Sequence, residues 1–365
     1  MKIKDITNYL ETIAPLHLQE SYDNSGLIIG DKNNTVNRAL ITLDCTEDVI
    51  DEAISEKCDL VIAHHPIVFD GLKKINGSTY IERVILKAIK NDIAIYAIHT
   101  NLDNILQGVN STIAKRIGLT ETKILNEKSD VLKKLVVFCP KGYESELKSA
   151  LWKAGAGNIS NYSHCSFSSD GYGTFMGNEK SQPTIGEKNK LQTESETKIE
   201  LIFPSHIEGK ILKEMFANHP YEEVAFEVYK LSNNNQNIGS GLIGTLHSPM
   251  DSVDFLNHLK SVMKTDCIRH TNLVKNQIKT VAVCGGSGSF LLAKAKSLGA
   301  DIFISADFKY HQFFDAENDI IIADIGHYES EQFTKELIND ILKKKFTKFA
   351  TRLSRVNTNP INYLK

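Results

Sequence analysis

The sequence predicts an α/β protein in which two flanking α/β halves form one core, interrupted by a ferredoxin-like (α+β) inserted domain. Short, wholly apolar runs alternate with longer amphipathic stretches in the first and last thirds of the chain, the pattern of a largely parallel sheet covered by helices. The middle third instead reads as strand, helix, strand, helix, strand with further extended chain, the split order of ferredoxin-like units. The expected division is 1–127 for the first half of the core, 128–232 for the insert and 233–365 for the second half.

In the first half, strands are expected at Gly26–Gly30, Ala39–Leu43, Leu60–Ala63 and Ile93–Ile98. A helix should start after Thr46, whose hydroxyl suits an N-cap and which is followed by acids in the first turn. Ser78 to Lys90 carries apolar residues at helical spacing. In the insert the order is strand Lys134–Cys139, helix Glu144–Ala154, extended chain between Ile159 and Gly177, strand Lys198–Phe203, helix Ile207–Asn218 and strand Val224–Leu231. Glu179 to Thr197 has almost no apolar residues and is expected to be a mobile loop, and Ser232–Asn237 is a polar break at the exit from the insert. Strands resume at Thr280–Cys284, Ile302–Ser305 and Ile320–Ala323.

The 365 residues suffice for a buried core without staples, and 42 basic against 45 acidic residues leave a net charge of −3. That balance gives no electrostatic footprint for nucleic acid, which is the least favoured partner. The opening Met1-Lys2-Ile3-Lys4-Asp5 lacks the apolar run of a signal peptide, and no stretch approaches the roughly 18 apolar residues of a membrane span. A cytoplasmic protein with no membrane partner is expected. Six cysteines are scattered without a C-x-x-C pair, so any metal must use other ligands.

Histidine supplies them. His64-His65-Pro66 follows the strand Leu60–Ala63, at the carboxyl end where open α/β sheets bind ligands. Pro66 favours extended backbone at His65, so the two rings diverge and suit two metals better than one. Twelve His in 365 residues predict about 0.4 adjacent pairs by chance, so a pair of structural histidines competes evenly with this reading. His99-Thr100-Asn101-Leu102-Asp103 follows the next strand. Asp103 is either a carboxylate able to bridge two cations or the N-cap of a helix over Ile105–Ile117. His99 is a ligand, a proton donor or a core histidine. In Asp324-Ile325-Gly326-His327-Tyr328-Glu329-Ser330-Glu331, His327 and Glu331 stand i, i+4 and share one helix face. The coincidence of three His/acid clusters after three apolar strands is the signal. A set of three imidazoles and two carboxylates suits Zn, Mn, Fe, Co or Ni, and exceeds what one catalytic zinc with an open position needs. Two divalent cations per chain, zinc first, are the better reading.

Gly285-Gly286-Ser287-Gly288-Ser289 is either a phosphate cradle or a tight strand-to-helix turn with Ser287 or Ser289 as N-cap. Asp307-Phe308-Lys309-Tyr310-His311 adds an acid and a histidine at a strand end, in a supporting role or as a surface loop. Tyr22-Asp23-Asn24-Ser25-Gly26 reads first as a turn.

The stretches YDNSGLIIGD at 22–31, DLVIAHHPIVFDGLKKI at 59–75, AIHTNLDN at 97–104, AVCGGSGS at 282–289 and ADIGHYESE at 323–331 resemble the family of Ngg-one-interacting factor three, commonly labelled GTP cyclohydrolase I type 2 homologs. The resemblance implies a dinuclear metal site on an α/β core, held by His64, His65, Asp103, His327 and Glu331, and a toroidal homohexamer. Asn218-His219-Pro220-Tyr221-Glu222-Glu223-Val224 resembles CutA-like and PII-like domains, as carried by long members of that family. The leading functional expectation is a metal-dependent hydrolase acting on a nucleotide or related small substrate, with His99 and His311 as candidate proton-transfer groups. The alternative is a non-catalytic, hexameric metal-binding or regulatory scaffold.

Overall fold

A computed structural model describes residues 1–159 and 161–364. Its strands, in chain order, are β1 (Gly26–Ile29), β2 (Arg38–Thr42), β3 (Leu60–Ala63), β4 (Ala94–Ala97), β5 (Leu119–Lys128), β6 (Leu132–Pro140), β7 (Phe167–Phe175), β8 (Gln192–Pro204), β9 (Phe226–Leu231), β10 (Asn235–Asp251), β11 (Arg269–His270), β12 (Gln277–Ser287), β13 (Ile302–Ala306), β14 (Ile321–Asp324) and β15 (Ala350–Leu353). The chain divides into two compact units, Met1–Asn126 with Asn237–Lys365, and Glu127–Gln236.

The first unit contains two sheets. One runs β1-β4-β3-β2-β15, parallel except for the antiparallel edge strand β1. The other runs β11-β14-β13-β12-β10-β5, with β12, β13 and β14 parallel at its centre. The central strands are buried on both faces, which is why they read as continuous apolar runs. Their side chains alternate with the strand period of two. Ile41, Leu60 and Ile62 from one sheet join Val281, Val283, Ile302 and Ile304 from the other in a shared core with Ile3, Ile6, Ile113, Phe255 and Ile338 from helices. Leu40, Val61 and Ile95 turn the other way, under Val49, Ala53 and Val84 of the helices Glu47–Ser55 and Tyr80–Lys90. Ala282 and Phe303 likewise back onto Leu292 and Phe308.

The Thr46 hydroxyl accepts from the Val49 N–H and caps the helix Glu47–Ser55 as the sequence indicates. The next helix starts at Tyr80, where Thr79 caps it by accepting from Glu82 N–H.

The second unit has the chain order strand β6, helix Glu144–Ala154, strands β7 and β8, helix Glu208–Asn218, strand β9. Its sheet, β7-β8-β6-β9, is antiparallel throughout. Leu135, Val137, Ile199, Leu201 and Phe203 of the sheet pack against Leu147, Leu151, Ile211 and Met215 of the two helices. Two expectations fail here. Gln192–Thr197 is strand, paired along β7 from Phe175↔Gln192 to Asp170↔Thr197, because backbone hydrogen bonds to a neighbouring strand need no apolar side chains. Asn235–Asn237 likewise opens β10 rather than prolonging a break. Among the described residues no helix is long and apolar enough to cross a membrane.

Candidate metal centre

Carboxyl ends of core strands deliver each group of this site. His64 and His65 follow β3, His99 and Asp103 lie just beyond β4, and His327 and Glu331 lie on the short helix His327–Glu331 after β14. Asp44 and Asp307 stand just past β2 and β13. Within each sheet parallel strands place their ends side by side, and the packing of the two sheets on a shared core brings His65 and Glu331 together although they stand 266 positions apart.

Four histidines share one arrangement. Nδ1 of His64 donates to the Ile98 carbonyl (2.8 Å), His65 Nδ1 to Asp44 Oδ1 (2.7 Å), His99 Nδ1 to Asp23 Oδ1 (2.8 Å) and His327 Nδ1 to Asp307 Oδ2 (2.6 Å). Each Nε2 is thereby left as the ring nitrogen available for a ligand, the orientation that metal-binding imidazoles require.

Glu331, with a side chain 3% exposed, is where they converge. Its Oε2 lies 2.9 Å from His65 Nε2, 3.1 Å from His327 Nε2 and 3.9 Å from His64 Nε2. Asp103 Oδ1 lies 3.6 Å from His64 Nε2. Ligand atoms of His65, His327 and Glu331 fall within 4.8 Å of one another, as do those of His64, Asp103 and Glu331, and those of His64, His65 and His99. Glu331 is thus the carboxylate shared by two sets, where the sequence offered Asp103 for that role. Nor does Asp103 cap a following helix: that helix is Val109–Ile117, with Gly108 at its N-cap position and no side-chain cap.

The donor set fits a bound cation. His64 Nε2 and Asp103 Oδ1 are buried and have no hydrogen-bond partner, and an unpaired buried polar group costs about 1–3 kcal/mol. The electrostatics agree. Burial opposes a charged His65, but hydrogen bonds to Asp44 and Glu331 outweigh it and push the ring up to about 9. At His327 burial is likewise overcome by Glu331 and Asp307, which push it up to about 11. Burial would raise Glu331, yet His327, His64 and His65 hold its carboxyl well below the usual range. Asp103, by contrast, is raised to about 7 by burial and by the Glu331 charge. The cluster draws positive charge, and its imidazole and carboxylate donors suit a borderline divalent metal.

A cavity of about 750 Å³ lies over this centre and includes His65, His99, Asp103, His327 and Glu331 in its wall. Phe69, Tyr80 and Phe290 line it as well and are 48%, 56% and 67% exposed. Among the described residues neither Lys nor Arg lines it. His311 lies elsewhere, in the 3-10 segment Tyr310–Ala316, with its ring against Tyr310 and Phe314, and does not line the cavity.

The glycine-rich stretch joins strand to helix as one expectation had it, but without the serine cap. The Gly285 N–H donates to Asn110 Oδ1 (2.9 Å) and the Gly286 N–H to Ser330 Oγ (2.9 Å), so neither is free for a phosphate. No side chain caps the 3-10 turn Ser289–Leu291 that follows, and the helix after it spans only Leu292–Ser297. Gly286 instead gives Glu331 room, and the Ser305 hydroxyl donates to its carbonyl (2.9 Å).

Sequence reasoning missed Asp44, which holds His65, and Asp23, which holds His99 and also accepts from the Thr100 N–H (3.0 Å). Asp44 carries the same strand-end signal as the histidines. Asp23 had only a turn signature. Thr358 had none: its hydroxyl donates to Asp44 Oδ2 (2.6 Å) from the end of the chain.

Comparison with known proteins agrees over the full length. The family model Duf34/NIF3 (NGG1p interacting factor 3) matches residues 1–360. A Bacillus subtilis protein named GTP cyclohydrolase 1 type 2 homolog is 38% identical over 367 residues, covering 99% of this chain and 98% of the relative. A Halalkalibacterium halodurans protein of the same name is 38% identical over 364 residues, covering 98% of each. The crystal structure of a Bacillus cereus protein related to NIF3 superposes with a TM-score of 0.86 at 37% identity, covering 100% of this chain and 99% of that one. With its strand-end histidines, its shared glutamate and its full-length likeness to these proteins, this chain belongs to the Duf34/NIF3 family.

Proposed function

We propose that this protein is a dinuclear metal-dependent hydrolase of a nucleotide or related small substrate. The observation that carries the reading is the sharing of Glu331 between the set His65, His327 and the set His64, Asp103. Two divalent cations, zinc first and Mn, Fe, Co or Ni as alternatives, would be held by these five residues. A cation pair of this kind supplies Lewis acidity and a water acidic enough to give a hydroxide nucleophile near neutral pH.

The chain's own residues do the rest. Asp44 and Asp307 fix the His65 and His327 rings from behind. His99, anchored by Asp23 and lining the cavity, is the group placed to pass a proton to or from a substrate, a role His311 is not placed to share. Phe69, Tyr80 and Phe290 offer aromatic faces on which a planar heterocycle stacks. With no Lys or Arg among the described residues of the wall, a phosphorylated substrate would find its counter-charge at the cations.

We read the Glu127–Gln236 unit as a ferredoxin-like insert of the CutA/PII-like kind, on its β-α-β-β-α-β order and its β7-β8-β6-β9 sheet, and the assembly as a toroidal homohexamer in the cytoplasm. That separate unit favours a second reading, a non-catalytic metal-binding or regulatory scaffold, because hydrolysis at the centre does not require it.

Metal-loaded protein incubated with a panel of nucleotides and phosphoesters separates the two. Turnover abolished by His327→Ala, with two metals per chain in the wild type, supports the hydrolase. Two metals per chain with no turnover anywhere in the panel supports the scaffold.

A further inference from the structure

The Glu127–Gln236 unit has a cavity of its own, about 430 Å³, small but within the range of ligand pockets. Its floor is the sheet, with Phe138, Gly173 and Glu196. One wall is Tyr221 to Glu223, and Met176, Pro183 and Ile185 close it from the segment between β7 and β8. That segment is tied down: the Gln182 N–H donates to Glu222 Oε1 (2.6 Å) and the Thr184 hydroxyl to the Pro220 carbonyl (2.8 Å).

Glu196 is the unusual member. It is 9% exposed, and its Oε1 accepts a hydrogen bond from the Tyr221 hydroxyl (3.0 Å). Burial and the Glu196 carboxylate both raise the Tyr221 phenol above its ordinary range, so the phenol keeps its proton and donates. Oε2 lies so close to Gly173 that a Cβ there would overlap it. Among the described residues no Lys, Arg or His is ion-paired with Glu196, and none lines the cavity. The nearest imidazole, His219, donates from Nε2 to the Phe138 carbonyl (2.9 Å) and accepts the Tyr221 N–H at Nδ1 (3.1 Å), so it is neutral.

A buried carboxylate without a counter-charge is costly, and proteins place one where a cation arrives. A metal ion is disfavoured, since Glu196 belongs to no group of three ligating side chains among the described residues. The remaining lining combines carbon and aromatic surface, where the Phe175 and Tyr221 rings lie 6.2 Å apart beside Phe138, Met176 and Ile185, with the polar or acidic Thr174, Ser181, Thr184, Glu222 and Glu223. Such walls favour an alkyl or aryl ammonium, whose charge meets the carboxylate while its body packs on the rings.

We propose that the inserted unit binds a small organic ammonium ion in this cavity, with Glu196 as its counter-ion and Tyr221 positioning the carboxylate. The inference stands apart from the metal centre.

The test is calorimetric titration of the full chain with butylammonium and phenethylammonium, against the neutral isosteres 1-butanol and 2-phenylethanol. An ammonium is expected to bind at least tenfold more tightly than its isostere, and Glu196→Gln to remove that preference while metal content stays unchanged. Ile185→Lys, which places a cation at the cavity wall without altering the carboxylate, is expected to abolish ammonium binding, and serves should Glu196→Gln fail to fold. Equal affinity for alcohol and ammonium, binding that survives Ile185→Lys, or no binding of either ammonium overturns the proposal.

Discussion

Gly286 stands against Glu331: a Cβ built on Gly286 would lie 2.6 Å from Glu331 Oε1 and 3.2 Å from His327 Cε1. Gly286 also has φ +60°, in the left-handed region. Gly286→Ala therefore meets strain of about 1–2 kcal/mol in the backbone and pushes the shared carboxylate aside. The expected outcome is a lower unfolding temperature together with loss of bound metal. Elemental analysis and thermal unfolding check it, and a variant that keeps its full metal content contradicts the placement.

The proposed metal pair sharing Glu331 should respond differently to different substitutions. His327→Ala should remove one cation per chain and leave the other on His64 and Asp103; Asp103→Ala should do the converse; Glu331→Ala should remove both. Native mass spectrometry counts the metals. Equal loss in all three variants would point to a single ion.

The Thr358–Asp44–His65 chain of hydrogen bonds predicts graded effects. Asp44→Ala frees the His65 ring, and loss of such a supporting carboxylate typically costs about 10–100-fold in metal affinity. Thr358→Val should act in the same direction and more weakly, because it leaves the carboxylate in place. Competition with a chromophoric chelator measures both. Wild-type affinity in Asp44→Ala would show that Asp44 does not hold the ring for metal.

His219 gives the inserted unit a pH dependence. Burial lowers its pKa below 6.5, and its two hydrogen bonds, one donated and one accepted, require the neutral ring. The unfolded chain then binds more protons than the folded one in the window just below pH 6.5, so stability rises with pH there. The contribution is complete above pH 6.5 and is lost as pH falls through the lowered value. Chemical unfolding between pH 5 and 8 should show a smaller stability loss on acidification in His219→Gln than in the wild type. An identical slope in the two proteins would refute the assignment.

Much of this site is legible in the order of residues along the chain. The strand Leu60–Ala63 is where its apolar run places it, and His64 and His65 follow directly because a run of four buried residues leaves no other place for the next two to go. His327 and Glu331 share a helix face through their spacing, and that local geometry survives folding. Asp103 was open to two readings because a carboxylate after a strand is equally apt as a ligand or a cap; only the start of the next helix at Val109 decided it.

The sequence by itself determined the local facts: which runs become strands, which residues stand at their ends, and that the candidate donors are nitrogen and oxygen rather than sulfur. Those follow from periodicity and short-range sterics, which act over a few residues. The tertiary structure alone decided that Glu331 falls in two of the candidate ligand groups, that Gly286 makes room for it with its own N–H held by Ser330, and that Asp23, Asp44 and Thr358 support the rings. These contacts join residues from 21 to 314 positions apart, and such pairings come from the order of strands within each sheet and from the packing of the two sheets on one core, an outcome that no local pattern encodes.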